Sequence, residues 1–189
     1  MKKVNIIGIS GLAGSGKDTI GEAIVAFGKL KNEKWEIKKF ATELKRIASI
    51  LTGYKIQDFE SQEFKNAKLG PEWSDMTVRD MLQKIGTDAM RDNLHPDVWV
   101  NALFSSYGYN SKWIITDVRF PNEVERIKQH NGTLIKVVRP GIVTLDHYSE
   151  KALDDFDGWD HVIINDGDRY DLIKTVKAVL YGADTSDIS

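Results

Sequence analysis

The 189-residue sequence contains no cysteine, which excludes disulfides, thiolate metal sites and a cysteine nucleophile. This absence fits a reducing cytoplasm, where we expect the protein to act. The sequence also lacks any run of the roughly 20 apolar residues that a membrane-spanning helix needs. Net charge is low, because 26 Lys and Arg face 28 Asp and Glu, for a formal charge of −2. No overall field attracts nucleic acid or an anionic membrane, so we expect neither as a partner.

A glycine-rich loop lies between the first predicted strand and the first predicted helix. Residues 4–10 are an apolar run typical of a buried parallel strand, and residues 19–27 repeat apolar side chains with helical spacing. The loop between them has the pattern G-x-x-x-x-G-K, whose backbone N–H groups and following helix N-terminus form a nest for polyphosphate. The alternative to a phosphate-binding loop is an ordinary glycine-rich turn between a strand and a helix. The predicted phosphate-binding residues are Gly11, Gly14, Ser15, Gly16, Lys17, Asp18 and Thr19.

Asp18 stands where this motif has a serine or threonine whose hydroxyl holds Mg²⁺. Thr19 follows one residue later. A carboxylate is a hard oxygen ligand and could bind the metal directly or through water. It could equally cap the helix or form an ion pair near the helix N-terminus, where negative charge is favourable. The residues alone leave both roles open.

The region from about 41 to 108 is predicted to be helical. A helix is expected over residues 41–51, with Thr42 as its cap. Its apolar stripe is expected to hold Leu44, Ile47, Ala48 and Leu51. Lys45 lies one turn into this helix, near the carboxyl end of a strand predicted over residues 35–40, where ligands bind in open α/β sheets. Lys45 is therefore either a ligand contact or a solvated helix charge.

A second helix is predicted over residues 77–91 with two distinct faces. Its apolar face would hold Val78, Met81, Leu82, Ile85 and Ala89, and its polar face Arg79, Gln83, Thr87 and Arg91. Two guanidiniums and an amide could bind a phosphate and a base edge, although the pattern also describes an amphipathic helix with a wet face. Trp99, on the next predicted helix, is either a core residue or an aromatic that stacks on a nucleotide.

Charged residues follow the later predicted strands. Asp117 ends the strand over residues 112–117, where P-loop proteins hold the metal or its water, and Arg119 follows it closely. Arg139 follows the strand over residues 133–138 and is the predicted hinge of a lid over about 139–159 that would exclude water. An ordinary surface loop is the alternative to this lid. The last predicted strand ends at Asn165.

About five strands interleaved with helices predict an α/β fold. We expect a doubly wound parallel sheet with helices on both faces, in one domain that spans residues 1–189. Residues 41–108 would form a helical insertion and residues 139–159 the lid. The pattern does not determine the order of the strands.

Six short segments, spread over nearly the whole chain, are informative when their residues and their order are considered together. They are Gly16-Lys17-Asp18-Thr19; Phe40-Ala41 with Leu44-Lys45; Arg79, Leu82-Gln83, Gly86-Thr87 and Arg91; Asp117-Val118-Arg119-Phe120 with Asn122-Glu123; His147 with Ser149-Glu150; and Asn165-Asp166-Gly167. This ordered set resembles the bacteriophage-type deoxynucleoside monophosphate kinases, which are also similar to the animal phosphomevalonate kinases. The resemblance includes the aspartate after the lysine of the loop.

The resemblance implies a three-layer P-loop kinase-like fold and transfer of the ATP γ-phosphate to a deoxynucleoside monophosphate with Mg²⁺. It implies that Asn165 lines the donor's adenine pocket and that Arg139 lies on the transferring phosphate. It implies that Arg79, Gln83 and Arg91 face the acceptor nucleotide. We add Lys45, Trp99 and Asp117 to these predicted acceptor-binding residues. It also suggests a homodimer, located in the host cytoplasm if the protein is phage-encoded.

This reaction needs little general-base help, since the acceptor phosphate oxygen is already largely ionised near neutral pH. The site should therefore be rich in Lys and Arg and poor in catalytic His. We expect Lys17, Arg119 and Arg139 to be catalytic and Asp18 or Asp117 to hold Mg²⁺.

Two other functions share part of this pattern. One is a P-loop kinase for another phosphorylated small molecule, such as phosphomevalonate or dephospho-coenzyme A. The other is a P-loop nucleotide-binding switch or nucleic-acid ATPase, which would be expected to carry a basic stripe or a nucleic-acid motif. The sequence has neither feature.

Overall fold

The computed structural model describes residues 4–142 and 151–182. The chain forms two compact units, one of Met1–Lys39 with Gly108–Ser189 and one of Phe40–Tyr107. The second unit begins and ends within one residue of the region 41–108 predicted to be helical. Within the described ranges, no helix combines the length and the apolar character needed to cross a membrane.

The first unit is built on a parallel five-stranded sheet. Its strands are β1 (Ile6–Ser10), β2 (Glu36–Lys38), β3 (Trp113–Val118), β4 (Thr133–Val138) and β5 (His161–Ile164). They lie in the order β2-β3-β1-β4-β5, and every neighbouring pair is parallel. The predicted doubly wound parallel sheet is confirmed. Because all strands run the same way, their carboxyl ends meet at one edge of the sheet.

The described residues also form helices. The α-helices are α1 (Lys17–Leu30), α2 (Ala41–Thr52), α3 (Gln62–Asn66), α4 (Val78–Gln83), α5 (Val98–Phe104), α6 (Pro121–Gln129) and α7 (Arg169–Tyr181). Two short 3₁₀ turns cover Ile56–Glu60 and Pro71–Trp73, and a π-helical segment covers Lys84–Asp92.

The sheet is the middle of three layers. On one face, Ile9 and Ile135 are buried in the same core as Ile24 of α1 and Val176 of α7. On the other face α6 packs closely, because a Cβ added to Gly8 would lie 2.6 Å from Ile127 Cδ1. A glycine in β1 therefore allows the close approach of α6.

The second unit has its own apolar core. This core contains Ala48, Phe59, Leu69, Val78 and Met81. Helix α2 begins at Ala41 without a side-chain cap, so the Thr42 cap is wrong. The buried positions of α2 are Lys45 and Ala48, whereas Leu51 is 52% exposed, so its predicted place in the apolar stripe is wrong.

The predicted 77–91 helix is half α-helix and half π-helix. Thr77 caps α4 by accepting a bond from the Asp80 N–H, and the Asp80 carboxylate accepts from the Thr77 N–H. The π-helical turns that follow have one more residue per hydrogen-bonded ring than an α-helix, so the inward face shifts along the sequence. Gly86 is buried and Ala89 is exposed, which corrects the predicted place of Ala89 on the apolar face.

We predict that Phe59→Ala destabilises the second unit by about 3–5 kcal/mol, as expected for truncation of a buried aromatic. Phe59 is fully buried, and its ring meets the Phe64 ring edge-on at 5.6 Å. Urea unfolding followed by circular dichroism measures the change. Tyr109, which is 96% exposed, provides the control, because Tyr109→Ala should change stability by less than about 0.5 kcal/mol. Equal effects of the two substitutions would contradict this packing.

Candidate functional site

The loop between β1 and α1 needs glycine for two reasons. Gly11, Gly14 and Gly16 have φ values of 153°, 78° and 104°, which side-chain-bearing residues rarely adopt. Space is also restricted, since a Cβ on Gly11 would lie 2.5 Å from the Val137 carbonyl oxygen. The loop leads into the N-terminus of α1, whose first N–H groups lack intrahelical partners. This arrangement suits an anion.

Lys17 lies over the start of the loop. Its Nζ donates to the carbonyl oxygens of Gly11 and Leu12, each at 2.7 Å. The lysine of this motif reaches the β- and γ-phosphates of a bound nucleoside triphosphate. Gly11 and Leu12 therefore mark the end of the loop where the outer phosphates would lie.

Asn165 joins the end of β5 to the loop. Its side chain is buried, and its Nδ2 donates to the Ser15 carbonyl oxygen at 2.8 Å. A Cβ on Gly16 would lie 2.7 Å from the same Nδ2. Asn165 thus holds the loop in shape, a contact that the sequence did not indicate. Its predicted place in an adenine pocket stays a prediction.

Asp18 forms an ion pair at the N-terminus of α1. Its Oδ1 accepts a hydrogen bond from Thr116 Oγ1 at 2.9 Å and lies 3.1 Å from Lys39 Nζ. Partial burial raises the pKa of Asp18, but the Thr116 hydrogen bond and the charges of Lys39 and Lys17 outweigh it and lower the pKa overall. Asp18 is therefore ionised at neutral pH.

Asp117 lies in an irregular part of β3. The register between β1 and β3 shifts between Gly8 and Ser10, which pair with Ile115 and Val118. Such bulges redirect side chains, and they are common next to active sites. Asp117 thus lies near the carboxyl end of β3, where this strand departs from regular pairing with β1.

The carboxylates can be tested as a magnesium site. Among the described residues, no group of three or more His, Cys, Asp or Glu side chains converges as a protein-only metal cage would require. Mg²⁺ does not need such a cage, because it is usually held by one or two carboxylates together with substrate phosphates and water. Asp18, which is ionised, and Asp117, which follows the Asp18 partner Thr116 in β3, supply carboxylates of the kind this donor set requires.

Two arginines border the start of the loop. Arg139 Nη1 donates to the Gly14 carbonyl oxygen at 3.2 Å. The backbone N–H of Arg119 donates at 2.7 Å to Glu123, a buried carboxylate that also accepts from the Phe120 N–H. Both arginines line a cavity of about 280 Å³ together with Gly11 and Leu12. Glu123 thus fixes the backbone of Arg119, a positioning role that no sequence pattern indicated.

The predicted acceptor residues of the second unit differ in their surroundings. Lys45 is buried and lies 2.6 Å from Glu60, so the solvated-charge alternative is wrong. Trp99 is buried and donates to the Gly86 carbonyl oxygen, so it is a core residue. Arg79 binds the side-chain oxygens of Gln62 and Asn66, which are neutral amides that leave its charge in place.

The remaining predicted residues are placed as follows. Gln83 ends α4, and Arg91, in the π-helical segment, donates to the Pro96 carbonyl oxygen at 3.3 Å. Both are half-buried, as are Arg79 and Thr87 of the same row. Thr19 lies in the first turn of α1. The predicted lid lies partly outside the described residues, which omit 143–150.

Comparisons with known proteins support one family. A family model described as deoxynucleotide monophosphate kinase matches residues 30–176. A provisionally named deoxynucleotide monophosphate kinase of Acanthamoeba polyphaga mimivirus is 33% identical over 178 residues, which are 85% of this chain and 88% of that protein. The deoxynucleotide monophosphate kinase of Enterobacteria phage T4 is 34% identical over 116 residues, 58% of this chain and 46% of that protein. The deoxynucleoside-5'-monophosphate kinase of Escherichia phage T5 is 33% identical over 88 residues, 41% of this chain and 35% of that protein.

We predict that Thr116→Val raises the pKa of Asp18, because it removes a hydrogen bond that favours the ionised carboxylate. The lowered pKa of Asp18 contributes stability above its unfolded-state pKa, and this contribution is lost as the pH falls through the folded-state pKa. The variant should lose part of that acid-side contribution. A carboxyl-carbon NMR titration measures the pKa directly. Thr175→Val, which removes a hydroxyl from α7, is the control, and an unchanged Asp18 pKa in Thr116→Val would contradict the assigned contact.

Proposed function

The chain belongs to the deoxynucleotide monophosphate kinase family, and from this premise we propose that it transfers the γ-phosphate of ATP to a deoxynucleoside monophosphate. The product is the deoxynucleoside diphosphate. The observation that carries the proposal is the glycine loop with the Lys17 ammonium at its start and the Arg139 guanidinium against it. This arrangement collects positive charge where the terminal phosphate of ATP would lie.

The donor side is proposed to work through fixed positive charge. The loop N–H groups and the N-terminus of α1 bind the phosphates of ATP, and Lys17, Arg119 and Arg139 stabilise the charge on the transferring group. The acceptor oxygen is already ionised, so no residue is assigned as a general base. Mg²⁺, held by Asp18 or Asp117 with phosphate oxygens and water, would neutralise charge on the phosphates.

The acceptor side is proposed to include Arg79, Gln83 and Arg91 of the second unit. Support comes from Arg79, whose described partners are neutral amides, so that it retains a full positive charge for a phosphate. Lys45 and Trp99 support this unit from its interior. The homodimer and the cytoplasmic location stay predictions.

The proposed activity is tested by release of ADP from Mg-ATP with a panel of acceptors: the four deoxynucleoside monophosphates, the four ribonucleoside monophosphates and phosphomevalonate. We expect turnover with at least one deoxynucleoside monophosphate. Lys17→Ala should lower that turnover by about 10²–10³-fold with the fold intact, since it removes a charge that acts in the transition state. Lys174→Ala, at an exposed position of α7, is the matched control. Normal turnover in Lys17→Ala, or ADP release with phosphomevalonate alone, would refute the proposal.

The assignment of the second-unit arginines makes a separate prediction. Arg79→Ala or Arg91→Ala should raise the KM for the deoxynucleoside monophosphate by about tenfold or more, because each removes a charge-assisted hydrogen bond. The KM for ATP should change much less. Arg46, an exposed arginine paired with Glu43, supplies the control Arg46→Ala. A defect confined to ATP would show that these arginines do not serve the acceptor.

A further inference from the structure

A cavity of about 280 Å³ lies beside the loop. Its lining includes Gly11 and Leu12, Arg119 and Arg139, and also Lys136, Asp154 and Trp159, all within the first unit. We call it the sheet-edge cavity. Its volume lies near the lower limit of ligand pockets, so it suits one small molecule.

The cavity starts at the outer-phosphate end of the loop. Gly11 and Leu12 line it, and their carbonyl oxygens hold the Lys17 ammonium. The loop residues from Ala13 to Gly16, which lead toward α1, are not part of the lining. A molecule in the cavity would therefore approach the terminal phosphate of ATP from the side away from the rest of the donor.

The floor of the cavity is a row across three strands. Val118 of β3, Ser10 of β1 and Lys136 of β4 are register neighbours in the parallel sheet, and all three line the cavity. Neighbours in register project to the same face of a sheet. Gly8, two residues before Ser10 in β1, faces Ile127 of α6. The row thus lies on the α6 face of the sheet.

Lys136 is an unusual member of this floor. It lies inside a central strand and is half-buried, and its Nζ lies 5.8 Å from the centroid of the Trp159 ring. Within the described part of the chain, the structure gives Lys136 no carboxylate partner. A partly desolvated ammonium without a counter-ion is unfavourable, and an anionic ligand would satisfy it. Among the described residues that line the cavity, Lys136, Arg119 and Arg139 are the cations and Asp154 is the carboxylate.

The aromatic wall of the cavity is held in place. Trp159 Nε1 donates to the Phe156 carbonyl oxygen at 2.8 Å, and the two rings meet edge-on at 4.8 Å. The next residue, Asp160, bonds to β4 twice, through its N–H to the Leu134 carbonyl oxygen and through its carboxylate to the Leu134 N–H. A fixed indole beside cations suits a ligand with both an anionic group and an apolar or aromatic part.

We propose that the sheet-edge cavity binds the acceptor deoxynucleoside monophosphate, with Lys136 on its phosphate and Trp159 against its sugar or base. This proposal rests on the proposed kinase function and adds Lys136 and Trp159 to the acceptor-binding residues. The cavity, rather than the loop, then gives the acceptor its line of approach to ATP. The contribution of the second-unit arginines is a separate assignment with its own test.

Steady-state kinetics of matched lysine variants test the proposal. Lys136→Met should raise the KM for the deoxynucleoside monophosphate about tenfold or more and leave the KM for ATP within about twofold. Lys128→Met is the control, because Lys128 of α6 lies over the ring of Phe156, the residue that holds Trp159, and is not among the described residues that line the cavity. Trp159→Leu should weaken acceptor binding, whereas Trp159→Phe should keep most of it. A change in the KM for ATP alone, or no difference between the two lysine variants, would overturn the proposal.

A footprint on the unaltered protein gives an answer even if a variant fails to fold. Each deoxynucleoside monophosphate in turn, and ATP, is added before brief acylation of lysines, and labelling is read by mass spectrometry. An accepted monophosphate should slow labelling of Lys136 but not of Lys128. Equal labelling of Lys136 with and without every monophosphate would overturn the proposal. Protection of Lys136 without phosphate transfer to any acceptor would instead refute the kinase function and keep the binding site.

Discussion

The conformation of the glycine loop depends on the side-chain donors that its carbonyl oxygens accept hydrogen bonds from. The Gly11 and Leu12 carbonyls accept from Lys17, the Gly14 carbonyl from Arg139 and the Ser15 carbonyl from Asn165. With these carbonyls held by side-chain donors, the loop has a shape in which its peptide N–H groups can form an anion-binding face, apart from the Ser15 N–H, which donates to the Leu12 carbonyl oxygen. The glycines make the turn possible, but these side chains, which come from α1 and from the residues directly after β4 and β5, select one conformation of it.

The two carboxylates near the loop are stabilised by hydrogen bonds and ion pairs in partly or fully buried positions. Asp18 is kept ionised by Thr116 and Lys39, and Glu123 is buried where it accepts from two backbone N–H groups at the start of α6. Both carboxylates therefore act at helix N-termini, where their charge is favourable. The cations that line the sheet-edge cavity, Lys136, Arg119 and Arg139, lie at the end of the loop where the outer phosphates of a polyanion would bind.

Local signals in the sequence predicted the local structure well. The glycine pattern, the apolar strand before it and the periodic helix after it were sufficient for the first βα unit, and strand runs such as residues 133–138 matched the observed β4. Strand order was not predictable because it depends on pairings between distant segments. The exposed Ala89 was missed because the 3.6-residue period cannot detect a π-helical segment.

Site contacts were harder to predict because their partners are distant along the chain. Lys45 was expected at a ligand or in water, and its pairing with Glu60 depends on a turn 15 residues away. Lys136 was assigned only to a buried strand, since a single lysine in an apolar run does not show which face it occupies. Asn165 was identified by family resemblance, but its bond to Ser15 spans 150 residues.

The sequence separation between the loop and the residues that bind it has a consequence during synthesis on the ribosome. The loop leaves the exit tunnel long before its supports, since Thr116, Arg139 and Asn165 follow their loop-side partners by 98, 125 and 150 residues. Contacts of such high sequence separation form late and slow folding. A nascent chain that ends before β5 lacks the Asn165 contact, so nucleotide affinity should emerge only after β5 and Asn165 have been synthesised.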